Sequence, residues 1–156
     1  MSSVISIRPA TVSDVPILAA QRRALFQEIG LNPVAGQEVA IEEHSAAAFT
    51  ARLARGECFA WLAWGNGGAV GSVALLVFPR LPTPASLAEQ EGYLLNVYTD
   101  PQWRGRGIAT TLVTTAIAKA RGLGLARIRL HTTAPGEPVY AAAGFVKRAD
   151  EMELQL

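Results

Sequence analysis

The stretch DPQWRGRGIATT, residues 100–111, decides how the rest of this sequence is interpreted. It places two glycines and two arginines directly before an apolar run of helical spacing that begins at Ile108. The first N–H groups of a helix have no partner within the helix and carry a partial positive charge, and a glycine loop lets an anion approach them closely. The stretch therefore predicts a phosphate-binding turn, with Arg104 and Arg106 adding positive charge at its rim.

Two common phosphate loops do not fit this stretch. A Walker A loop requires G-x-x-x-x-G-K-[ST], and no Lys-Ser or Lys-Thr pair follows the glycines. A dinucleotide fingerprint requires a third glycine, but Thr110 stands at that position. It also requires an acidic residue about 20 residues later, where this chain has none. Both nucleotide-binding folds are therefore excluded.

The pattern of apolar residues predicts one mixed α/β (α+β) domain over residues 1–156 in the order β α α β β β α β α β β. The predicted strands are 4–9, 58–64, 69–78, 92–99, 125–133, 145–148 (FVKR) and 152–156 (MELQL). The predicted helices are 11–30, 39–56, 108–122 and 138–144, the first of them with a capping box formed by Thr11 and Asp14. GNGG at 65–68 predicts a hairpin turn, and the Pro-rich segment 79–91 predicts a loop.

Composition narrows the functional class. Half of the residues are hydrophobic and 17% are charged, with a net charge of +1, which is typical of a globular protein and not of a polyanion binder. No apolar run reaches about 18 residues and no signal peptide is evident, so we expect no membrane span and a cytoplasmic location. The single cysteine, Cys58, lies in an apolar run, which favours a buried thiol. Two distant histidines predict no metal site.

Three motifs occur in one order along the chain. Arg104 to Ala109 matches R/Q-x-x-G-x-G/A, VYTDPQW precedes it with Pro101, and VYAAAGF follows with Tyr140 to Phe145 in a Y-x-x-x-G-F pattern. In this the sequence resembles the GNAT (GCN5-related) N-acetyltransferase superfamily over nearly its whole length. The resemblance implies a central, mostly antiparallel twisted sheet that splays between its fourth and fifth strands, flanked by about four helices, with acyl-CoA in the opening.

The resemblance also implies the residues that bind the cosubstrate. Backbone amides of the glycine loop would hold the CoA pyrophosphate; these residues are Arg104, Gly105, Arg106, Gly107, Ile108, Ala109 and Thr110. Backbone groups of Val97, Tyr98 and Thr99 would pair with the pantetheine arm, with one N–H near Val97 or Tyr98 facing the thioester carbonyl. Tyr140 would be the general acid that protonates the departing CoA thiolate. The cosubstrate would be acetyl-CoA, with no metal.

The acceptor side is less determined by sequence. The acceptor would be a primary amine of a small molecule or peptide, and the base that deprotonates it is Glu28, Glu91, His131 or water. Tyr93 and Asn96 would line the acceptor side, although a bulge in their strand leaves their facing open. Arg80, in the Pro-rich loop, either binds a carboxylate of the acceptor or is solvated.

Two other functional classes remain open on sequence alone. A non-catalytic acyl-CoA-binding or sensing module would keep the glycine loop without turnover. A nucleic-acid binder would use the segment from Pro101 to Gly136, which has no acidic residue and six basic ones, an excess that favours an anionic ligand. Near-neutral total charge argues against nucleic acid and against an oligonucleotide partner. The acyl group, the acceptor and the oligomeric state, a homodimer being one option, are left open.

Overall fold

A computed structural model describes residues 4–156, apart from the side chain of Glu38. Five strands form one sheet in the order β1-β2-β3-β4-β5. They are β1 (Ser6–Pro9), β2 (Cys58–Gly65), β3 (Gly68–Pro79), β4 (Gln90–Thr99) and β5 (Ile128–Arg129). The helices are α1 (Val15–Glu28), α2 (Glu38–Ala54), α3 (Ile108–Gly122) and α4 (Glu137–Ala142). Strands β1 to β4 are antiparallel and β5 is parallel to β4.

The sheet opens between β4 and β5, as predicted. Only two residue pairs join these strands, Gly92 with Ile128 and Tyr93 with Arg129. Beyond Tyr93, β4 continues to Thr99 and remains paired with β3 on its other edge. The carboxyl-terminal half of β4 therefore presents an open edge towards the gap.

Two hydrophobic cores lie on opposite faces of the sheet. On one face, Leu94 packs against Leu112 and Val113 of α3, and Tyr140 of α4 joins this cluster. On the other face, helices α1 and α2 contribute a second cluster that also contains Leu95. Because adjacent strand residues point to opposite faces, β4 separates an α3 side from an α1 side. The groups discussed below as candidate site residues are distributed over these two sides of β4.

The predicted capping box opens the first helical segment. The Asp14 carboxylate accepts a hydrogen bond from the Thr11 N–H at 2.8 Å and pairs with the Arg8 guanidinium at 2.8 Å. Arg8 is the main reason that the pKa of this buried carboxyl lies well below its ordinary value. A 3₁₀ turn, Val12–Asp14, precedes α1, so the α-helix begins four residues later than Thr11.

The carboxyl end of the chain departs from the prediction. The strand expected over 125–133 is paired only at Ile128–Arg129, because β4 diverges beyond that point. The segments FVKR and MELQL do not form strands. Their exposed apolar residues include Val146 and Met152, and no neighbouring strand supplies the backbone hydrogen bonds that an extended segment needs. The strands predicted for FVKR and MELQL from their residue pattern are therefore wrong.

Candidate active site

The glycine loop presents free backbone N–H groups to open space. Gly105 and Gly107 have φ of +74° and +76°, a left-handed conformation that favours glycine. A Cβ at either position would meet no atom within 4 Å, so glycine is required by backbone conformation and not by crowding. The first bond of α3 joins Thr111 N–H to the Gly107 carbonyl at 3.0 Å. The first turn has neither a side-chain cap nor an acidic residue, so it is suited to an anion.

The two loop arginines differ in what they contact. Arg104 donates to the Thr99 carbonyl at 3.1 Å and forms an ion pair with Glu28 at 2.6 Å. Its charge is therefore balanced within the protein. Arg106 instead stacks on the Trp103 ring, 4.7 Å from its centroid, and has no carboxylate partner among the described residues. Of the two, Arg106 is the one whose charge is available at the rim of the loop.

The basic segment from Pro101 to Gly136 is largely balanced in space. Arg127 and Arg129 both pair with Glu91, 36 and 38 residues away along the chain. Lys119 lies over the Phe59 ring at 4.4 Å. The charge excess counted along the sequence therefore does not form one anion-binding patch, which corrects the interpretation of that count.

A β-bulge distorts β4 at the opening. Asn96 and Val97 together oppose Val73, and Asn96 has a φ of +57°. The Ser72 hydroxyl donates to the Asn96 carbonyl at 3.2 Å, and the Asn96 amide donates to the Leu18 carbonyl at 3.3 Å. The Asn96 side chain is only 2% exposed and is bonded to α1, so, contrary to expectation, it does not line a surface that an acceptor could reach. It holds the bulge in place instead.

The bulge determines which backbone groups face the gap. The Asp100 N–H donates to the Val70 carbonyl at 2.8 Å, and the register pairs Tyr98 with Ser72 two residues earlier. Because antiparallel pairs alternate, the Tyr98 N–H points towards β3. The N–H groups of Val97 and Thr99 point towards the open edge by the same alternation. Of the two predicted donors, Val97 has the suitable direction and Tyr98 does not.

Tyr140 lies on α4 and packs against the hydrophobic cluster on the α3 side of the sheet. Its ring is partly buried and meets Phe145 edge to face, with centroids 5.9 Å apart. Gly136 leaves room for it, since a Cβ there would lie 3.3 Å from the Tyr140 ring. The hydroxyl has no hydrogen-bond partner among the described residues. Burial raises the pKa of Tyr140, so the phenol keeps its proton at neutral pH and can donate it.

The predicted bases are not equally available. Glu28 is engaged by Arg104. Glu91 is 3% exposed and is surrounded by three arginines, since the Arg80 guanidinium also lies 3.7 Å from it. Burial alone would raise the pKa of Glu91, but Arg127 and Arg129 outweigh that effect and hold it below its ordinary value. Glu91 is therefore a buried structural carboxylate, and Arg80 is neither solvated nor free for an acceptor.

His131 has a different environment. It is exposed just beyond β5, and its Nδ1 is hydrogen-bonded to the Tyr93 hydroxyl. The two rings are tilted, with centroids 5.6 Å apart. Tyr93 lies on the same face of β4 as Leu95, which is the α1 side. The pair was not predicted as a unit, because the partners are 38 residues apart and nothing local indicates the contact.

A cavity of about 620 Å³ lies between the end of α1 and the start of α2. The described part of its walls is mostly apolar, with Phe26, Leu31 and Ile41 contributing to it together with Arg23 and His44. Arg23 is paired with Glu42 at 2.9 Å. This cavity lies on the α1 side of the sheet, and none of its described lining residues belongs to the glycine loop.

Residues 4–156 offer neither a metal-binding cluster nor a membrane-spanning helix. The described side chains contain no group of three or more His, Cys, Asp or Glu arranged to hold a metal ion. None of the helices in that range combines the length and apolar character needed to cross a bilayer.

Comparisons with known proteins agree with this geometry. Residues 24–145 match the acetyltransferase (GNAT) family. A GCN5-related N-acetyltransferase from Ralstonia eutropha JMP134 is 31% identical, with a TM-score of 0.87 over 98% of this chain and 99% of the other. A structure described as a predicted acetyltransferase with acetyl-CoA, from Clostridium acetobutylicum, is 26% identical, with a TM-score of 0.89 over 97% and 96% of the two chains.

A more distant neighbour shares the fold alone. Glucosamine-6-phosphate N-acetyltransferase from Arabidopsis thaliana is 15% identical, with a TM-score of 0.70 over 97% of this chain and 98% of the other. A search of curated proteins gave no match. The family match covers most of the chain and coincides with the glycine loop, the splayed sheet and Tyr140. The chain therefore belongs to the GNAT acetyltransferase family.

Proposed function

We propose that the protein transfers an acetyl group from acetyl-CoA to a primary amine, by direct attack of the amine on the thioester. One observation carries this proposal: the uncapped start of α3 with its left-handed glycines lies at the same opening of the sheet as the free edge of β4. An anion site and a row of free backbone groups suit a long, phosphorylated cosubstrate that ends in an acyl group.

The residues present fit such a cosubstrate. The backbone N–H groups from Gly105 to Thr110 would hold its pyrophosphate, with Arg106 adding charge at the rim, whereas the Arg104 N–H already donates to the Pro101 carbonyl at 3.5 Å. The open edge of β4 from Val97 to Thr99 would pair with its pantetheine arm as an added strand pairs with a sheet. When bound, acetyl-CoA supplies the activated acetyl thioester. The absence of any Cβ contact within 4 Å of Gly105 and Gly107 leaves room for phosphates to approach the loop.

Three groups of this chain would then each assist one part of the acetyl transfer. The Val97 N–H donates to the thioester oxygen, where negative charge develops during attack, and a fixed donor there stabilises the transition state most. The Tyr140 hydroxyl, protonated and without another partner, donates its proton to the departing sulfur. His131, together with the Tyr93 hydroxyl, accepts the proton that the amine loses, because imidazole is the side chain best suited to proton exchange near neutral pH.

The proposal is tested by turnover. The protein is incubated with acetyl-CoA and a panel of primary amines, and both CoA thiol release and the mass of the acetylated amine are measured. We expect amine-dependent thiol release with matching product, reduced in Tyr140→Phe and His131→Gln. Stabilisation by acetyl-CoA without turnover of any amine would instead identify a non-catalytic acyl-CoA-binding module. Absence of both stabilisation and turnover would refute the proposal.

A further inference from the structure

One partly buried arginine, Arg22, has no carboxylate partner among the described residues. Most arginines of the described chain pair with a carboxylate; these are Arg8, Arg23, Arg52, Arg55, Arg80, Arg104, Arg127, Arg129 and Arg148. The exceptions among the described residues are Arg22, Arg106 and Arg121. Arg106 lies at the rim of the glycine loop, and Arg121 is exposed at the end of α3. Neither a place at the glycine loop nor full exposure explains why Arg22 has no carboxylate partner.

Arg22 is held in an apolar position on α1. Its guanidinium stacks on the Phe26 ring, one helical turn further along, with the Cζ atom 4.6 Å from the ring centroid. It makes no hydrogen bond with another described residue. Burial lowers the pKa of Arg22, and the Tyr93 hydroxyl partly offsets that effect. Placing a cation in such surroundings is unfavourable unless an anion joins it, and none of the described residues supplies that anion.

The position of Arg22 connects it to the acceptor side. Arg22 and Tyr93 influence each other's ionisation, and the Tyr93 hydroxyl contacts His131, the group proposed to take the amine proton. Phe26, on which Arg22 stacks, is a wall of the cavity between α1 and α2. A guanidinium binds carboxylates and phosphates through paired hydrogen bonds. The anion that Arg22 lacks would therefore belong to the molecule that delivers the amine.

We propose that Arg22 binds an anionic group, a carboxylate or a phosphate, on the amine acceptor, and that Phe26 and the adjoining cavity receive an apolar portion of that acceptor. This rests on the proposed acetyl transfer and specifies its substrate class. An amine that carries only positive charges would bring Arg22 no counter-ion and would add repulsion beside its guanidinium.

The first test measures binding without turnover. Thermal unfolding is followed with N-acetyl-L-phenylalanine, with its amide, and with O-phosphoethanolamine against ethanolamine. In at least one pair, we expect the member with the anionic group to stabilise the wild-type protein and the member without it not to do so, and which pair responds distinguishes carboxylate from phosphate. Arg22→Gln should lose this preference, while Arg121→Gln, which removes an exposed arginine without a carboxylate partner, should keep it. No preference in the wild type, or preference retained in Arg22→Gln, would overturn the inference.

The second test uses turnover of the corresponding free amines, with spermidine as the polycation. We expect kcat/KM to be roughly tenfold to a hundredfold higher for the anionic acceptor, as one charge-assisted hydrogen bond allows, and the ratio to fall towards one in Arg22→Gln. Arg22→Lys should restore part of the ratio. Without ligand, Arg22→Gln should be at least as stable as the wild type, because it removes an uncompensated cation. Preference for spermidine would overturn the inference; turnover of no amine, with anion binding intact, would refute only the acetyl transfer.

Discussion

Replacing Gly107 with glutamate tests the anion site at the start of α3. A residue other than glycine at its φ of +76° costs about 1–2 kcal/mol of unfolding free energy. The added Cβ meets no atom within 4 Å, so no steric cost is added. A carboxylate at a helix N-terminus returns about 0.3–1 kcal/mol. Gly107→Glu should therefore fold, with a melting temperature lowered by roughly 0–7 °C for a domain of this size.

The matched control is Gly124→Glu at the other end of α3. Gly124 has a φ of +68° and also has no atom within 4 Å of an added Cβ. The helix between the two positions has 15 residues, or about 22 Å of length. Both variants therefore carry similar backbone strain, and only Gly107→Glu places a negative charge where a pyrophosphate would bind.

The assay is thermal unfolding of each variant with and without acetyl-CoA. At 100 times its dissociation constant the ligand should stabilise the wild type and Gly124→Glu by about 2.7 kcal/mol. A hundredfold weaker affinity in Gly107→Glu would reduce this at the same concentration to about 0.4 kcal/mol. If Gly107→Glu kept the full stabilisation, the glycine loop would not be the anion site and the reasoning from α3 would be refuted.

Four further expectations follow from single residues. Tyr140→Phe should lower kcat about a hundredfold while leaving unfolding free energy within about 0.5 kcal/mol, because the hydroxyl has no partner to lose; unchanged kcat would remove its acid role. Asn96→Ala should be less stable than Asn96→Gly by about 1 kcal/mol in urea unfolding, because only glycine relieves the φ of +57°; the reverse order would contradict this account of the bulge. The lowered pKa of Glu91 means that its ion pairs stabilise the protein above its ordinary value of 4.5 and are lost as pH falls through the lower folded value. Glu91→Gln should therefore cost about 1–3 kcal/mol at pH 7 and flatten the loss of stability below about pH 4.5, and an unchanged acid profile would count against the network. Burial raises the pKa of the Cys58 thiol to about 12, so a thiol reagent at pH 8 should label it only after unfolding; rapid labelling of the native protein would contradict its burial.

The parts of the site that could be predicted from sequence are those set by neighbouring residues. The left-handed glycines, the start of α3 and the capping box at Asp14 depend on residues within a few positions of each other. The existence of the bulge was also predictable, but the facing of Asn96 was not. One extra residue in a strand changes which face each later side chain occupies, so register has to be known before facing can be assigned.

The predictions that were wrong concern residues whose partners lie far from them in the sequence. The segment MELQL alternates as a strand does, but an extended segment is stable only beside another strand, and β5 is too short to provide one. Arg80 was interpreted as solvated or as an acceptor ligand, whereas it lies beside Glu91. Its salt-bridge partner follows it by 11 positions in the chain, on a strand entered through an irregular loop, and no local spacing rule joins the two.

The distribution of positive charge along the sequence differs strongly from its distribution in the folded protein. This difference bears on function. Counted along the chain, positive charge is concentrated between Pro101 and Gly136, yet most of that charge meets a carboxylate or an aromatic ring in the fold. Among the described residues, the positive charges left without a carboxylate are Lys119 and Arg121 near the end of α3, Arg106 beside the glycine loop, and Arg22 on the α1 side of β4. Strand β4, which carries Val97, lies between α3, which follows the glycine loop and Arg106, and α1, which carries Arg22. Two anionic molecules approaching from the two sides would each find one uncompensated cation, and their reactive groups would meet at an uncharged backbone donor. A neutral donor there favours the transient negative charge of acetyl transfer without holding a permanent anion in its place.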